Sequence, residues 1–420
     1  MSAHTAVAPG SERDCEPVPS AEFQITDRWR QTATDFSSAR NQGDPITLTW
    51  GIVADGTPIS SFGAEPEPSD LIASFDSVYG AGEGGLQQAP WFRLFAESFA
   101  RWSQLSGVLY EFEPNDGGAA INQFTTPRGQ RGVYPDVRIG GHPIGVSESG
   151  GNTLAYNYFP DHADMVLDTE DAPYFGNRQL DSRRLRNVLM HEAGHGLGLN
   201  HLVSSDSGQL MEPFISIAFD GPQIDDILAV QRNYGDPLER DGGNDSAGAA
   251  TQIGSFQPHD SWVIGADGRA VVVAPDQTDF VSIDGLSDRD YFRFEVAEPT
   301  TVSVTLSQVG RSYLEGATEA EQLLLETAEL NPLEVELIGG GYQGIASLRG
   351  RRPEGIDTVS IIAAAPLTPG VDYYVGVRGT IDNVQLYELS LEFGPAPVPE
   401  PQAALLILAG LAAAGARRVA

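Results

Sequence analysis

The sequence predicts an α+β unit followed by an all-β sandwich and a short hydrophobic tail. Three observations carry this. Up to about residue 236, β-rich alternating runs are mixed with stretches whose apolar residues recur every three to four positions, the spacing of a helix face. From Phe280 onward, short alternating runs follow one another between turn residues, as in an antiparallel sandwich. The last run, Ala403 to Ala416, is apolar and ends on Arg417 and Arg418.

A chain of 420 residues can hold two or three domains with real cores. Its net charge of −33 excludes nucleic acid as the natural partner, because phosphate binding needs clustered cations. All 25 basic residues are Arg. An acidic surface keeps a protein soluble and can supply carboxylates to calcium, although a solvated acidic face with no ligand explains it equally well. The single cysteine, Cys15, rules out an internal disulfide framework.

Residues 1–45 are polar, rich in Ser, Ala, Asp and Pro, and read as poorly ordered. Pro45–Val53 alternates and is β-rich, a first strand. Trp91–Trp102 places aromatic and aliphatic residues at helical spacing, a long helix burying one face. Leu109–Phe112 and Asp136–Gly140 read as strands, and Gly151–Pro160 leads into a further extended run, Ala163–Asp168. Leu185, Val188 and Leu189 then stripe a second helix, with Asp181 or Ser182 as its cap. Gln223–Gly235 closes this half as a helix carrying Ile224, Ile227, Leu228 and Gln231 on one face, with Gly235 as its stop.

The second helix runs into His191-Glu192-Ala193-Gly194-His195-Gly196-Leu197-Gly198-Leu199-Asn200-His201, which fits H-E-x-x-H-x-x-G-x-x-H. Positions four apart share a helix face, so His191 and His195 can offer two imidazoles to one zinc ion. Gly198 lets the chain leave the helix in a conformation other residues resist, and the turn returns His201 as a third ligand. Three protein ligands leave a fourth position open, the mark of a catalytic rather than a structural zinc. Glu192 sits beside the ligands and is suited to take a proton from the attacking water. Histidines on an ordinary core helix are the plain alternative, but five fixed positions make the pattern specific.

Leu210-Met211-Glu212-Pro213 follows, and with the zinc pattern and the closing helix it resembles the matrixin branch of the metzincin metallopeptidases. The resemblance implies a twisted mixed sheet with long helices, zinc held by His191, His195 and His201, and Glu192 as general base. It implies a methionine turn at Met211 beneath the metal, and a specificity-pocket wall from Pro213, Phe214 and Ile215. Gly151–Pro160 and Ala163–Asp168 would form the upper edge of the cleft, where an extended peptide adds as a strand. Asp168 and Asp171 fall where the family supplies carboxylates to a structural calcium, although two acids on a loop are common without a metal. The family's second, structural zinc is not expected, because Tyr156 and Val166 stand at its histidine positions and His142 and His162 read as solvated loop residues. Leu202 replaces a common serine after the third ligand. Matrixin pro-segments hold a cysteine near an arginine over the zinc. Here Arg13-Asp14-Cys15-Glu16 lacks the family's glycine, and an idle thiol is the plainer reading of Cys15.

Glu239–Ser246 is a polar, Gly-rich linker. Beyond it, Phe280–Ile283, Asp290–Val296, Thr301–Leu306, Tyr373–Val377 and Tyr387–Leu391 are the sandwich strands, and Thr318–Leu330 reads as a helical insertion. Asp288–Phe294 and Leu367–Tyr374 resemble the pre-peptidase C-terminal domains of secreted bacterial peptidases, and a passive spacer or fold stabiliser is the expected role, with substrate binding as the alternative. Val398-Pro399-Glu400-Pro401 with the apolar run and paired arginines resembles the Pro-Glu-Pro sorting signal of certain Gram-negative bacteria, which implies processing by an exosortase-type enzyme. A plain tail anchor is the alternative; either way the run is short for a membrane span. Both put the chain at the cell surface or outside, whereas no apolar signal core is visible near Met1, so we expect the true start upstream.

The expected division is therefore 1–45 as a pro-segment-like arm, 46–236 as the peptidase, 237–394 as the β-sandwich and 395–420 as the sorting signal. The function implied is zinc-dependent cleavage of protein substrates outside the cytoplasm. An adhesion or matrix protein whose peptidase unit has lost activity is the alternative.

Overall fold

The computed structural model describes residues 23–36, 40–60, 65–122, 125–145, 153–205, 207–341, 343–348, 358–363 and 365–397. Cys15 and the Pro-Glu-Pro tail lie outside the described residues.

A five-stranded sheet organises the first half. Its strands are β1 (Ile46–Ile52), β2 (Val108–Phe112), β3 (Val137–His142), β4 (Ala155–Asn157) and β5 (Met165–Asp168), in the order β2-β1-β3-β5-β4. All neighbours are parallel except β4, which pairs antiparallel with β5. Parallel strands need crossovers, and the helices α1 (Leu71–Tyr79) and α2 (Phe92–Leu105) together supply the one from β1 to β2. α2 is fixed to the sheet by stacking: Trp50 lies 4.9 Å from Phe99, 5.5 Å from Phe92 and 4.9 Å from Phe112, ring centre to ring centre. Each such pair adds about 0.5–1.5 kcal/mol beyond the area it buries.

α3 (Arg183–Gly196) crosses beneath β4 and is fully buried from Asn187 to its end, and Trp102 of α2 donates its indole N–H to Met190 O at 2.9 Å. Ser182 stands at the N-cap, but neither it nor Asp181 caps through its side chain; Asp181 instead pairs with Arg93 of α2. α4 (Ile224–Tyr234) follows, started by a reciprocal capping box between Gln223 and Asp226 and stopped at Gly235 with φ 71°.

The second half is a sandwich of two five-stranded sheets with one shared core. Its strands are β7 (Thr251–Phe256), β8 (Ser261–Ile264), β9 (Val281–Ile283), β10 (Arg289–Val296), β11 (Thr300–Gln308), β14 (Leu333–Gly339), β15 (Gln343–Leu348), β16 (Thr358–Ile362), β17 (Tyr373–Gly379) and β18 (Gln385–Pro395). One sheet runs β8-β18-β11-β16 with β9 also on β18, and the other runs β15-β14-β17-β10-β7. β14 alternates buried and half-buried residues along its whole length, the period of two that a one-sided strand requires.

Three segments depart from the sequence-based expectations. Phe23–Arg30 is an ordered strap rather than loose chain, because Phe23 and Trp29 are each only 2% exposed. The linker is docked: Arg240 donates to the carbonyls of Ser103 and Ser106 and, at 3.1 Å, to that of Val108. Thr318–Leu330 is not a helix. Only Glu319–Glu321 makes a 3₁₀ turn, and the rest belongs to a hairpin of β12 (Ser312–Gly316) and β13 (Leu323–Glu326) that joins neither sandwich sheet. It pairs instead with β6 (Val203–Ser204) in the first half. Tyr313, Leu325 and Leu330 accordingly join the core around α2, α3 and α4.

Candidate metal centre

His191 and His195 leave α3 on one face, and His201 returns to them after the turn at Gly198 (φ 92°). A Cβ at Gly198 would also lie 1.9 Å from Asp27 O of the strap, so the position excludes side chains twice over. The His201 Nε2 atom is 3.1 Å from Nε2 of His191 and 3.2 Å from Nε2 of His195. Two nitrogens each about 2.0–2.1 Å from a tetrahedral zinc would stand about 3.3 Å apart, so this spacing fits the ion.

The outer nitrogens set the chemistry. His191 Nδ1 donates to Leu210 O and His195 Nδ1 to Leu199 O, each at 2.7 Å. A carbonyl can only accept, so both rings carry the proton on Nδ1 and turn a bare Nε2 lone pair toward His201. Lone pairs converging on one point are what a bound cation accepts. Burial favours the same neutral state: it pushes His195 down to about 4 and His201 to about 3, and it holds His191 well below the usual range with help from the other two rings. Three neutral imidazoles suit zinc.

Glu192 is fully buried, and neither carboxylate oxygen has a hydrogen-bond partner among the described residues. Burial alone raises its pKa well above the ordinary value. An orphaned carboxyl costs several kcal/mol in a purely structural role, so its place next to His191 argues for a chemical task.

Met211 lies under α3: a Cβ on Gly194 would come within 2.4 Å of its sulfur, so the methionine occupies the space that a side chain would claim. Its turn is held by Asp226, whose carboxylate accepts from Leu210 N at 2.8 Å, Met211 N at 3.0 Å and Gln223 N at 2.7 Å. Glu212 accepts from Ser204 N at 2.8 Å. Of the expected pocket wall, Pro213 is half-buried, Phe214 is 48% exposed and Ile215 packs partly against the core.

The remaining expected residues take other work. Asp168 caps the following turn, accepting from Glu170 N at 2.9 Å and Ile144 N at 3.2 Å. Neither it nor Asp171 belongs to a group of three or more ligand-type side chains among the described residues. Tyr156 and Val166 face each other across β4 and β5. His142 is not a solvated loop residue but the buried end of β3, and its Nδ1 donates to Pro143 O at 2.8 Å. His162 is half-buried, with its pKa lowered by that burial.

Sequence reasoning missed Asp226: Gln223 and Asp226 make a reciprocal capping box, but Gln-x-x-Asp inverts the usual order of residue types, Ser or Thr first and Glu or Gln three residues later. It also missed a cluster where the linker meets the sandwich. Glu239, Asp245 and Asp288 bring ligand-type oxygens within 4.8 Å of one another. Burial and neighbouring carboxylates push Glu239 up to about 10 and Asp284 up to about 7, and burial pushes Asp236 up to about 7.

Over 34% of its length the chain resembles the pre-peptidase C-terminal domain of a Bacillus anthracis collagenase, covering 94% of that chain at 14% identity and a TM-score of 0.20. It is 36% identical to human and rat matrix metalloproteinase-16 over 94 residues, which is 21% of this chain and 15% of those proteins. It is 33% identical to human matrix metalloproteinase-25 over 134 residues, 29% of this chain and 23% of that one. The chain thus spans between 15% and 23% of the length of these curated relatives. Residues 84–235, which hold α2 to α4 and all three histidines, match the matrixin family model.

Proposed function

We propose that the chain is a secreted or surface-bound zinc endopeptidase that hydrolyses peptide bonds in proteins. The observation that carries this is the convergence of three Nε2 atoms, two of them bare by hydrogen bonding, at the spacing of a tetrahedral ion. The matrixin match over residues 84–235 supports the same reading.

In this reading His191, His195 and His201 hold the metal, and Met211 supports them from below. Bound zinc supplies Lewis-acid polarisation of the scissile carbonyl and acidifies the attacking water. Glu192 accepts the water's proton, and its burial raises the proton affinity that a general base needs. The proton then passes to the leaving amine. β4, at the end of its sheet, receives the substrate as an added strand, and Pro213, Phe214 and Ile215 wall the side-chain pocket. Residues 46–236 form the peptidase, 237–394 an accessory β domain and 395–420 a sorting signal for an exosortase-type enzyme. A calcium at Asp168 and Asp171 has less support, since Asp168 is already engaged by two backbone N–H groups.

The rival reading is an adhesion protein with a spent peptidase unit. Retention of the three ligands together with an orphaned buried glutamate argues against it. Metal analysis of the purified protein, with cleavage of a denatured protein substrate before and after chelation, separates the two. One zinc per chain and chelator-sensitive cleavage are expected; zinc-free, inert protein would leave the adhesion reading standing.

A further inference from the structure

The hairpin β12–β13 belongs by sequence to the sandwich but packs against the candidate metal centre. β12 adds as a strand to β6, with Glu315 opposite Ser204 and Gly316 opposite Val203, two to three residues after His201. Ser205 N donates to Leu314 O at 2.9 Å, and the Gln322 amide donates to Val203 O at 3.0 Å. This grips the chain just downstream of the third ligand.

The buried face of the hairpin reaches the other supports of the same turn. Glu315 accepts from Phe23 N at 3.4 Å, where the strap begins. That strap bonds the upstream side: Thr26 N donates to Gly198 O at 2.8 Å, and Asn200 N donates to Gln24 O at 2.9 Å. Tyr313 donates its hydroxyl to Asp225 at 2.6 Å. Asp225 precedes Asp226, which holds Leu210 and through it His191. His191 and His195 ride on a helix that fixes itself, whereas His201 stands on irregular backbone whose position depends on what packs around it.

We propose that this hairpin is a positioning element of the zinc centre, with Tyr313 and Gln322 as positioning residues for His201 and the methionine turn. The β-sandwich then completes the metal site rather than spacing it from the tail. Neither residue belongs to the ligand group of His191, His195 and His201; both act through the chain that carries it. The inference rests on the zinc reading above.

The test is the zinc dissociation constant, read by competition with a chromogenic chelator, for the full chain and two variants. One variant combines Tyr313→Phe with Gln322→Ala. The other, Val375→Ala, opens a cavity in the middle of the sandwich core, where Val375 is fully buried. Supporting residues typically contribute 10–100-fold to metal affinity, so the hairpin variant should bind zinc about 10-fold more weakly. Val375→Ala should lower the thermal midpoint of the metal-free protein at least as far and leave zinc affinity unchanged. Equal zinc affinity in the hairpin variant and the wild type overturns the proposal, as does an equal loss in Val375→Ala. A wild type that binds no zinc overturns the zinc reading itself, an outcome seen before any variant is compared.

Discussion

His191 and Leu210 are joined by a 2.7 Å hydrogen bond from the imidazole Nδ1 to the backbone carbonyl, and Leu210 in turn donates its N–H to Asp226. One carboxylate on α4 therefore fixes the methionine turn and, through it, the ring orientation of a ligand. Replacing Asp226 with Ala orphans three buried N–H groups, each costing about 1–3 kcal/mol. The variant should lose roughly 3–5 kcal/mol of stability in urea unfolding. A loss below about 1 kcal/mol would show that water replaces the carboxylate and that the turn holds itself.

Glu192→Gln keeps the size of the side chain and removes its basicity. Zinc content should stay at the wild-type level, while kcat/KM for a peptide substrate should fall by about 10²–10⁴. Wild-type turnover in this variant would assign the proton to another group.

Gly198→Ala forces a side chain into a left-handed backbone position against the Asp27 carbonyl. The strap or the His201 turn must move. The expected result is a thermal midpoint lower by several degrees, from a strain of about 1–3 kcal/mol, together with weaker zinc binding. Differential scanning fluorimetry with and without zinc reads both effects, and an unchanged zinc-dependent shift would separate the strap from the site.

The buried acids at the linker give the pH dependence a definite sign. Asp236 and Asp284 titrate near 7 in the folded chain and near their ordinary values when unfolded. The folded state therefore holds their protons more tightly, so their contribution to stability is greatest below about pH 4 and is lost as pH rises through about 7. Urea unfolding in metal-free buffer should give a lower midpoint at pH 8 than at pH 5 from these groups. Asp236→Asn with Asp284→Asn should flatten that difference; an unchanged slope would place its origin elsewhere.

What could be read from the sequence was what repeats locally. α2, α3 and α4 carry their apolar stripes within a few turns, and His191 and His195 lie one turn apart, so periodicity sufficed for them. Of the sandwich strands, β10 and β11 alternate over their own length and were plain, whereas β7, β8, β14, β15 and β16 were not read from the sequence. The strap was hidden because its anchors, Phe23 and Trp29, stand in polar sequence and its bonds, from backbone and side chains alike, reach residues far along the chain. The hairpin was misread because Glu-Ala-Glu-Gln-Leu-Leu-Leu favours helix locally, whereas in the fold Leu323–Glu326 pairs with β12, which is itself held by β6 more than 100 residues away. Asp225, Asp226 and the linker acids gain their meaning from burial, which no spacing rule reports.

Phe23 and Glu315, which meet across 292 positions of chain, have one more implication. Contacts of such long separation form late, because the intervening polymer must first be gathered. A growing polypeptide could present the three imidazoles well before the hairpin has left the ribosome. The brace around the third would then be absent until residues 312–326 had also emerged, so the turn that carries His201 would gain its support after the helix that carries the other two.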